Sequence, residues 1–234
     1  MTKKITNLML NWENYEIREY VAPGWQPWAD TLAYYPLTSQ TTVNDMSGNW
    51  YNLTNYRSTS FWTYNGVDCA YFDNNSYQGL YINSWNLFDT YSSRTFSLRI
   101  NRWTNTLVYS PRLLADAWDI MIWCTTSWVF LVSRPYEDHT GFTIPQSQWM
   151  HIVITHDDNT HWSIYKDWEL YDSYSLTRVT DTWKLMIWIP HSNVSDRGDC
   201  WNWNISELII ENKVRTAQEV GDYYDQTKWN YWIS

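Results

Sequence analysis

The sequence predicts an all-β protein of antiparallel strands with one short helix near its end, and three observations carry that prediction. Residues 149–155 alternate: Trp149, His151, Val153 and Thr155 fall on one side of a strand, and Met150, Ile152 and Ile154 on the other. Asp157-Asp158-Asn159 then offers turn residues, a second strand runs Trp162 to Lys166, and a tight reversal at Asp167-Trp168 sends the chain back through Glu169-Leu170-Tyr171. Two antiparallel connections within about 25 residues describe a meander. The helix is read from Thr216-Ala-Gln-Glu219, which has capping-box spacing, followed by Val220, Tyr223 and Tyr224 at i, i+3 and i+4.

Taken in order, residues 1–20 read as an N-terminal hairpin, with Ile5–Leu10 and Tyr15–Tyr20 joined at Asn11-Trp12. Residues 21–29 hold two prolines and a glycine and read as a linker. One domain is then expected over residues 30–234. Its strands are expected at 32–37, from 53 onward, and at 69–73, 79–82 and 94–100. Further strands are expected at 119–125, 129–133, 184–189 and 205–211. A chain of this size buries roughly 70% of its unfolded surface, enough for a sizeable core.

Bulk properties exclude several function classes. A formal net charge of −9 argues against a nucleic-acid backbone and against an anionic membrane as partner, since both are bound through Lys and Arg. No apolar run approaches the ~18 residues of a membrane span. The first residues, MTKKITNLMLNWENYE, lack the apolar centre of a secretion signal, so none is expected. Cys69, Cys124 and Cys200 are odd in number and far apart, which suits buried thiols, or one disulfide and a spare, better than zinc.

Tryptophan is distributed unusually. There are 19 Trp and 7 Gly in 234 residues, where Gly alone is roughly 7% of an average chain. Trp12, Trp50, Trp168 and Trp203 all fall where a tight turn or loop asks for glycine. Two accounts fit: a truly Trp-rich protein, or UGA codons that mean glycine in the source and were read as tryptophan. Turn chemistry favours the second and predicts these four exposed in turns, several at positive φ. Trp149 is predicted in a strand and well buried.

The candidate chemistry is sparse. Asp45 and Asp73 are turn carboxylates that could serve calcium, as could Asp157 and Asp158, although Asp is also an ordinary turn former. His156 and His161 flank one turn, which suits a solvated pair better than a metal site. The polar loop 190–204 offers Asn193, Asp196, Arg197 and Asp199 as ligand-binding candidates, because long loops on β scaffolds often carry recognition. Glu207 and Glu211 share the closing strand, and Glu219 and Asp222 lie in the helix.

The order of the pieces resembles the laminin-G-like, concanavalin-A-like lectin/glucanase superfamily. The likeness rests on LAYYPL, NDMSGNWYNLT, GVDCAYFDNNSY, WMHIVITHD, IYKDWEL and the closing WNWNISELIIENKVRTAQEVGDYY, over about residues 30–225. It implies a two-sheet antiparallel jelly-roll sandwich. Relatives usually carry glycine where Trp50, Trp168 and Trp203 stand, in keeping with recoding. The glucanase branch has Glu-x-Asp-x-x-Glu on one strand, and no such motif occurs in this sequence. No enzyme is therefore expected.

The resemblance suits a non-catalytic carbohydrate- or surface-binding module, and the N-terminal hairpin, the linker and the expected lack of a secretion signal suit its display on a phage particle as a tail or capsid component. A carbohydrate-binding module of a secreted bacterial polysaccharide-active protein and a purely structural virion protein are the alternatives. The expected partners are a cell-surface glycan or another virion protein. Neither nucleic acid nor membrane insertion is expected, no cofactor is required beyond optional calcium, and an oligomer is compatible. The location implied is the virion or an extracellular surface.

Overall fold

The computed structural model describes residues 29–39, 43–73, 78–82, 93–102, 112–116, 120–124, 129–134, 137–157, 161–175, 185–187 and 203–228, with side chains outside 112–141 and 185–187. The expected N-terminal hairpin and all of the linker but Ala29 lie outside these residues, as do Asn193, Asp196, Arg197 and Asp199.

Fifteen strands and one helix are described. They are β1 (Thr31–Tyr35), β2 (Leu53–Tyr56), β3 (Ser60–Tyr64), β4 (Val67–Phe72), β5 (Gly79–Ile82), β6 (Arg94–Arg102), β7 (Arg112–Asp116) and β8 (Ile120–Cys124). These are followed by β9 (Val129–Arg134), β10 (Glu137–Thr143), β11 (Trp149–His156), β12 (His161–Lys166), β13 (Glu169–Ser175), β14 (Leu185–Ile187), β15 (Trp203–Glu211) and the helix α1 (Ala217–Thr227).

The strands form two antiparallel sheets. The larger runs β13-β12-β11-β6-β15-β4-β3, with β1 also on β15, and the smaller runs β10-β9-β8-β7-β14-β5-β2. The expected sandwich with a short C-terminal helix is the observed fold. Strand alternation explains its core. Phe96, Leu98 and Ile100 of β6, Met150, Ile152 and Ile154 of β11, and Trp203, Ile205, Leu208 and Ile210 of β15 all turn inward into one apolar cluster.

The opposite face of the larger sheet is unusual in being buried as well. All nine residues of β6 and all nine of β15 are buried. Two polar sets lie on that outer face: Thr95, Ser97, Arg99 and Asn101 of β6, and Asn204, Glu207 and Glu211 of β15. Helix α1 covers part of it, with Val220 packed against Val153 and Tyr165. The cap is as read from the sequence, since Thr216 accepts from the Glu219 backbone and Glu219 reaches back to the Thr216 N–H.

Trp203 departs from its expected place. It opens β15 opposite Phe72 and Arg102 and is 0% exposed, because the ladder begins two residues earlier than the loop-like WNWN suggests. Trp50 does occupy a turn, at φ 66° and 84% exposed. Trp168 lies in its hairpin turn, 53% exposed, but the positive φ of that turn falls on Asp167, at 60°. Trp149 is in its strand and half-buried.

Candidate functional site

The carboxylates come first, because an enzyme of this architecture would need a facing pair about 5 Å apart if it retained configuration. Glu207 and Glu211 are each locked to an arginine in the layer beneath α1. Arg99 Nε donates to Glu207 Oε2 at 3.2 Å, and the Tyr223 hydroxyl donates to Glu207 Oε1 at 2.5 Å. Arg215 Nε donates to Glu211 Oε2, and its guanidinium sits 4.9 Å from the Tyr223 ring centre. These groups bind the helix to the sheet and have no solvent-facing reactive side.

His151 sits in the same layer, 1% exposed. Its Nδ1 lies 3.2 Å from the Asp167 carbonyl, so that nitrogen is the donor, and Nε2 accepts from the Ser97 hydroxyl at 2.7 Å. Burial holds its pKa well below the usual histidine value, and the Arg99 guanidinium pushes the same way. A Ser–His contact invites a hydrolase reading, yet Tyr223 and Tyr224 cover the ring at 5.5 and 6.2 Å, and no substrate carbonyl could reach Ser97.

Among the calcium candidates, Asp45 organises its own loop. Its Oδ1 accepts from the Tyr34 and Ser47 backbone N–H groups, and Oδ2 from the Ser47 hydroxyl and the Tyr51 N–H, at 2.8–3.1 Å. Four donors fill the acceptor capacity of a carboxylate. Asp73 is half-buried, and its N–H donates to Gln78. Among the described residues no three His, Cys, Asp or Glu side chains cluster as a metal site would require. His156 and His161 do not meet as a pair: His156 is buried against Trp162, while exposed His161 contacts the Ser173 hydroxyl. Cys69 is a buried free thiol whose pKa burial pushes up to about 12, so it is chemically quiet.

The structure brings together a group that the sequence did not single out. β3 is the edge strand of the larger sheet beyond β4, and strand periodicity puts Trp62 and Tyr64 on the same outer face as Tyr71. Trp62 and Tyr64 stack at 6.1 Å with 22° between planes, and Trp62 lies 4.5 Å from Tyr71. All three rings are half-buried. The pairing of β4 with β15 runs only from Phe72 to Ala70. Two side-chain bonds tie the hairpin to the rest of the protein: Trp62 Nε1 donates to Asn204 Oδ1 at 2.7 Å, and the Tyr64 and Ser147 hydroxyls lie 3.3 Å apart. The result is a rigid aromatic surface anchored to the sheet by polar bonds at its base.

Comparison with known proteins accords with this architecture. Residues 74–221, more than half the chain, match the family described as the Concanavalin A-like lectin/glucanases superfamily. The chain belongs to that superfamily. No curated protein matches the sequence. Among solved structures, the binding domain of Paraclostridial Mosquitocidal Protein 1 superposes with a TM-score of 0.66 at 16% identity, covering 83% of this chain and 52% of that one.

Domain 4 of AbnA, an extracellular arabinanase from Geobacillus stearothermophilus solved with arabinotriose, gives a TM-score of 0.65 at 14% identity, covering 82% and 97%. A botulinum neurotoxin type C structure, whose cell entry is described as dependent on two ganglioside molecules, gives 0.62 at 14%, covering 84% and 51%. This chain thus spans about half the length of the toxin chains it matches and nearly all of the arabinanase domain. At these identities the shared property is the fold.

Proposed function

We propose that this superfamily member is a non-catalytic carbohydrate-binding module. The observation that carries the reading is the half-exposed aromatic group Trp62–Tyr64–Tyr71, held on an edge hairpin of the larger sheet. Flat aromatic rings with polar tips offer apolar stacking faces to the C–H faces of a sugar ring and hydrogen bonds to its hydroxyls. Binding without catalysis is also supported by the closing-strand carboxylates, which are tied to Arg99 and Arg215. The named neighbours include a domain in complex with arabinotriose and a toxin dependent on gangliosides.

Two settings accommodate such a module. The arabinanase domain supports a carbohydrate-binding piece of a secreted polysaccharide-active protein. Trp50, exposed at a φ that glycine favours, supports a source that reads UGA as glycine, and a displayed component of a phage particle is the second setting. Gene neighbourhood separates the two, since polysaccharide enzymes would flank the first and tail or capsid genes the second. A saccharide array probed with the full chain tests the function itself. Retention of one glycan class is expected, with loss in Trp62→Ala. An array without hits would defeat the carbohydrate reading in both settings.

A further inference from the structure

We propose that the floor of the aromatic site is the amide pair Asn101–Asn204 and that its ligand is an uncharged oligosaccharide; this rests on the carbohydrate-binding reading above. Asn101 of β6 and Asn204 of β15 are direct cross-strand partners, on the face opposite the core residues Ile100 and Ile205. Both are 0% exposed. The Trp62 indole satisfies Asn204 Oδ1, but among the described residues Asn204 Nδ2 and both side-chain polar atoms of Asn101 have no hydrogen-bond partner. Beside them Ser206, at the irregularity where β15 shifts register between Ile205 and Glu207, has a buried hydroxyl that is likewise unpartnered.

Four unsatisfied polar atoms at one place on a sheet call for an explanation, because each buried amide left without a partner is destabilising. A sugar supplies what they lack. Adjacent hydroxyls can each donate and accept, and an amide presents an acceptor oxygen beside a donor nitrogen. The apolar walls stand on either side. Trp149 of β11 pairs with Asn101 on one flank, and Trp62 and Tyr71 lie on the other. Irregular pairing is common beside binding sites, where it re-aims side chains. In the observed conformation the Trp62 N–H takes the position at Asn204 that a sugar hydroxyl would take, so Trp62 must turn aside as the ligand enters.

Charge sets the ligand class. Arg99, the next outward residue on β6, is engaged by Glu207 and by Thr227. On the hairpin side the carboxylate that shares the face of Tyr71 is Asp73, whose charge helps to raise the Tyr71 pKa after burial, whereas Asp68, bonded by Thr63, lies on the opposite face. Among the described residues of that face Arg99 is already engaged, so a sialic or uronic acid would meet Asp73 without compensation. An uncharged chain meets no such penalty.

Calorimetry on the full chain tests the assignment, with arabinotriose, xylohexaose and cellohexaose as uncharged probes and sialyllactose as the charged one. An uncharged probe should bind and perturb tryptophan fluorescence. Asn101→Leu should weaken that binding at least tenfold while the unfolding midpoint holds or rises, since it removes an unsatisfied amide. Should Asn101→Leu fail to fold, Trp62→Phe replaces it as the test, because it removes the N–H while keeping a ring, and it should alter affinity with the fold intact. An uncharged probe bound equally by wild type and variants overturns the amide floor but leaves the carbohydrate reading standing. Binding of sialyllactose alone overturns the ligand class, and binding of no probe overturns the underlying reading.

Discussion

Trp50 holds a left-handed backbone with nearly all its side chain in water. A bulky residue there bears a conformational penalty of about 1–3 kcal/mol and gains little burial in return. Trp50→Gly should therefore raise stability by about 1 kcal/mol in urea unfolding, part of the gain being offset by the greater freedom of glycine in the unfolded chain. Trp203→Gly should do the reverse and cost upwards of about 3 kcal/mol, because Trp203 fills the core. If both changes lowered stability alike, the turn argument would fail. Mass spectrometry of position 50 in native material reads the recoding directly. Turn chemistry made Trp50 legible in the sequence. It misplaced Trp203, since a strand that starts inside a polar-looking loop has no local mark.

Helix α1 was legible because its signals are local: a cap, a reciprocal glutamate and an i, i+3, i+4 stripe. Thr216→Ala removes the acceptor for the Glu219 N–H and should cost about 1 kcal/mol, read as a lower midpoint in chemical unfolding. Tyr223→Phe should cost about 1–3 kcal/mol, because it leaves buried Glu207 Oε1 without its phenol donor. A neutral result for Tyr223→Phe would mean that the layer under α1 is not held by that bond. The strands at β3, β7 and β10 were not foreseen. β3 reads SFWTY with both faces partly covered, so no alternation of polarity announces it, and β10 reads EDHTGFT with hardly an apolar position. The missed β3 is the strand that carries the aromatic site.

At the scale of the whole molecule, alternating runs foretold two stacked sheets, but no pattern could foretell that residues 62, 71, 101 and 204 converge. That meeting is a product of topology, which threads β15 between β6 and β4. The same threading creates the polar layer under α1 and makes overall stability depend on pH. Burial, with Arg99 next in effect and Arg215 adding to it, holds His151 far below its ordinary 6.5, while the Asp167 carbonyl opposes them. The folded protein keeps the ring neutral, whereas the unfolded chain protonates it near pH 6.5. Below that pH the unfolded state binds more protons. The stabilising contribution is therefore whole above 6.5 and declines as pH falls, by up to about 1.4 kcal/mol per pH unit. Asp167 and Glu211, both raised by burial, take up protons first in the folded state and blunt the loss at lower pH. Glu219, lowered by its bond to Lys213, adds to the loss there. Urea unfolding at pH 7.5 and 5.5 should thus find the wild type weaker at the lower pH by about 1 kcal/mol, with His151→Gln reducing that difference. An equal pH dependence in the two proteins would show that His151 is not the group responsible.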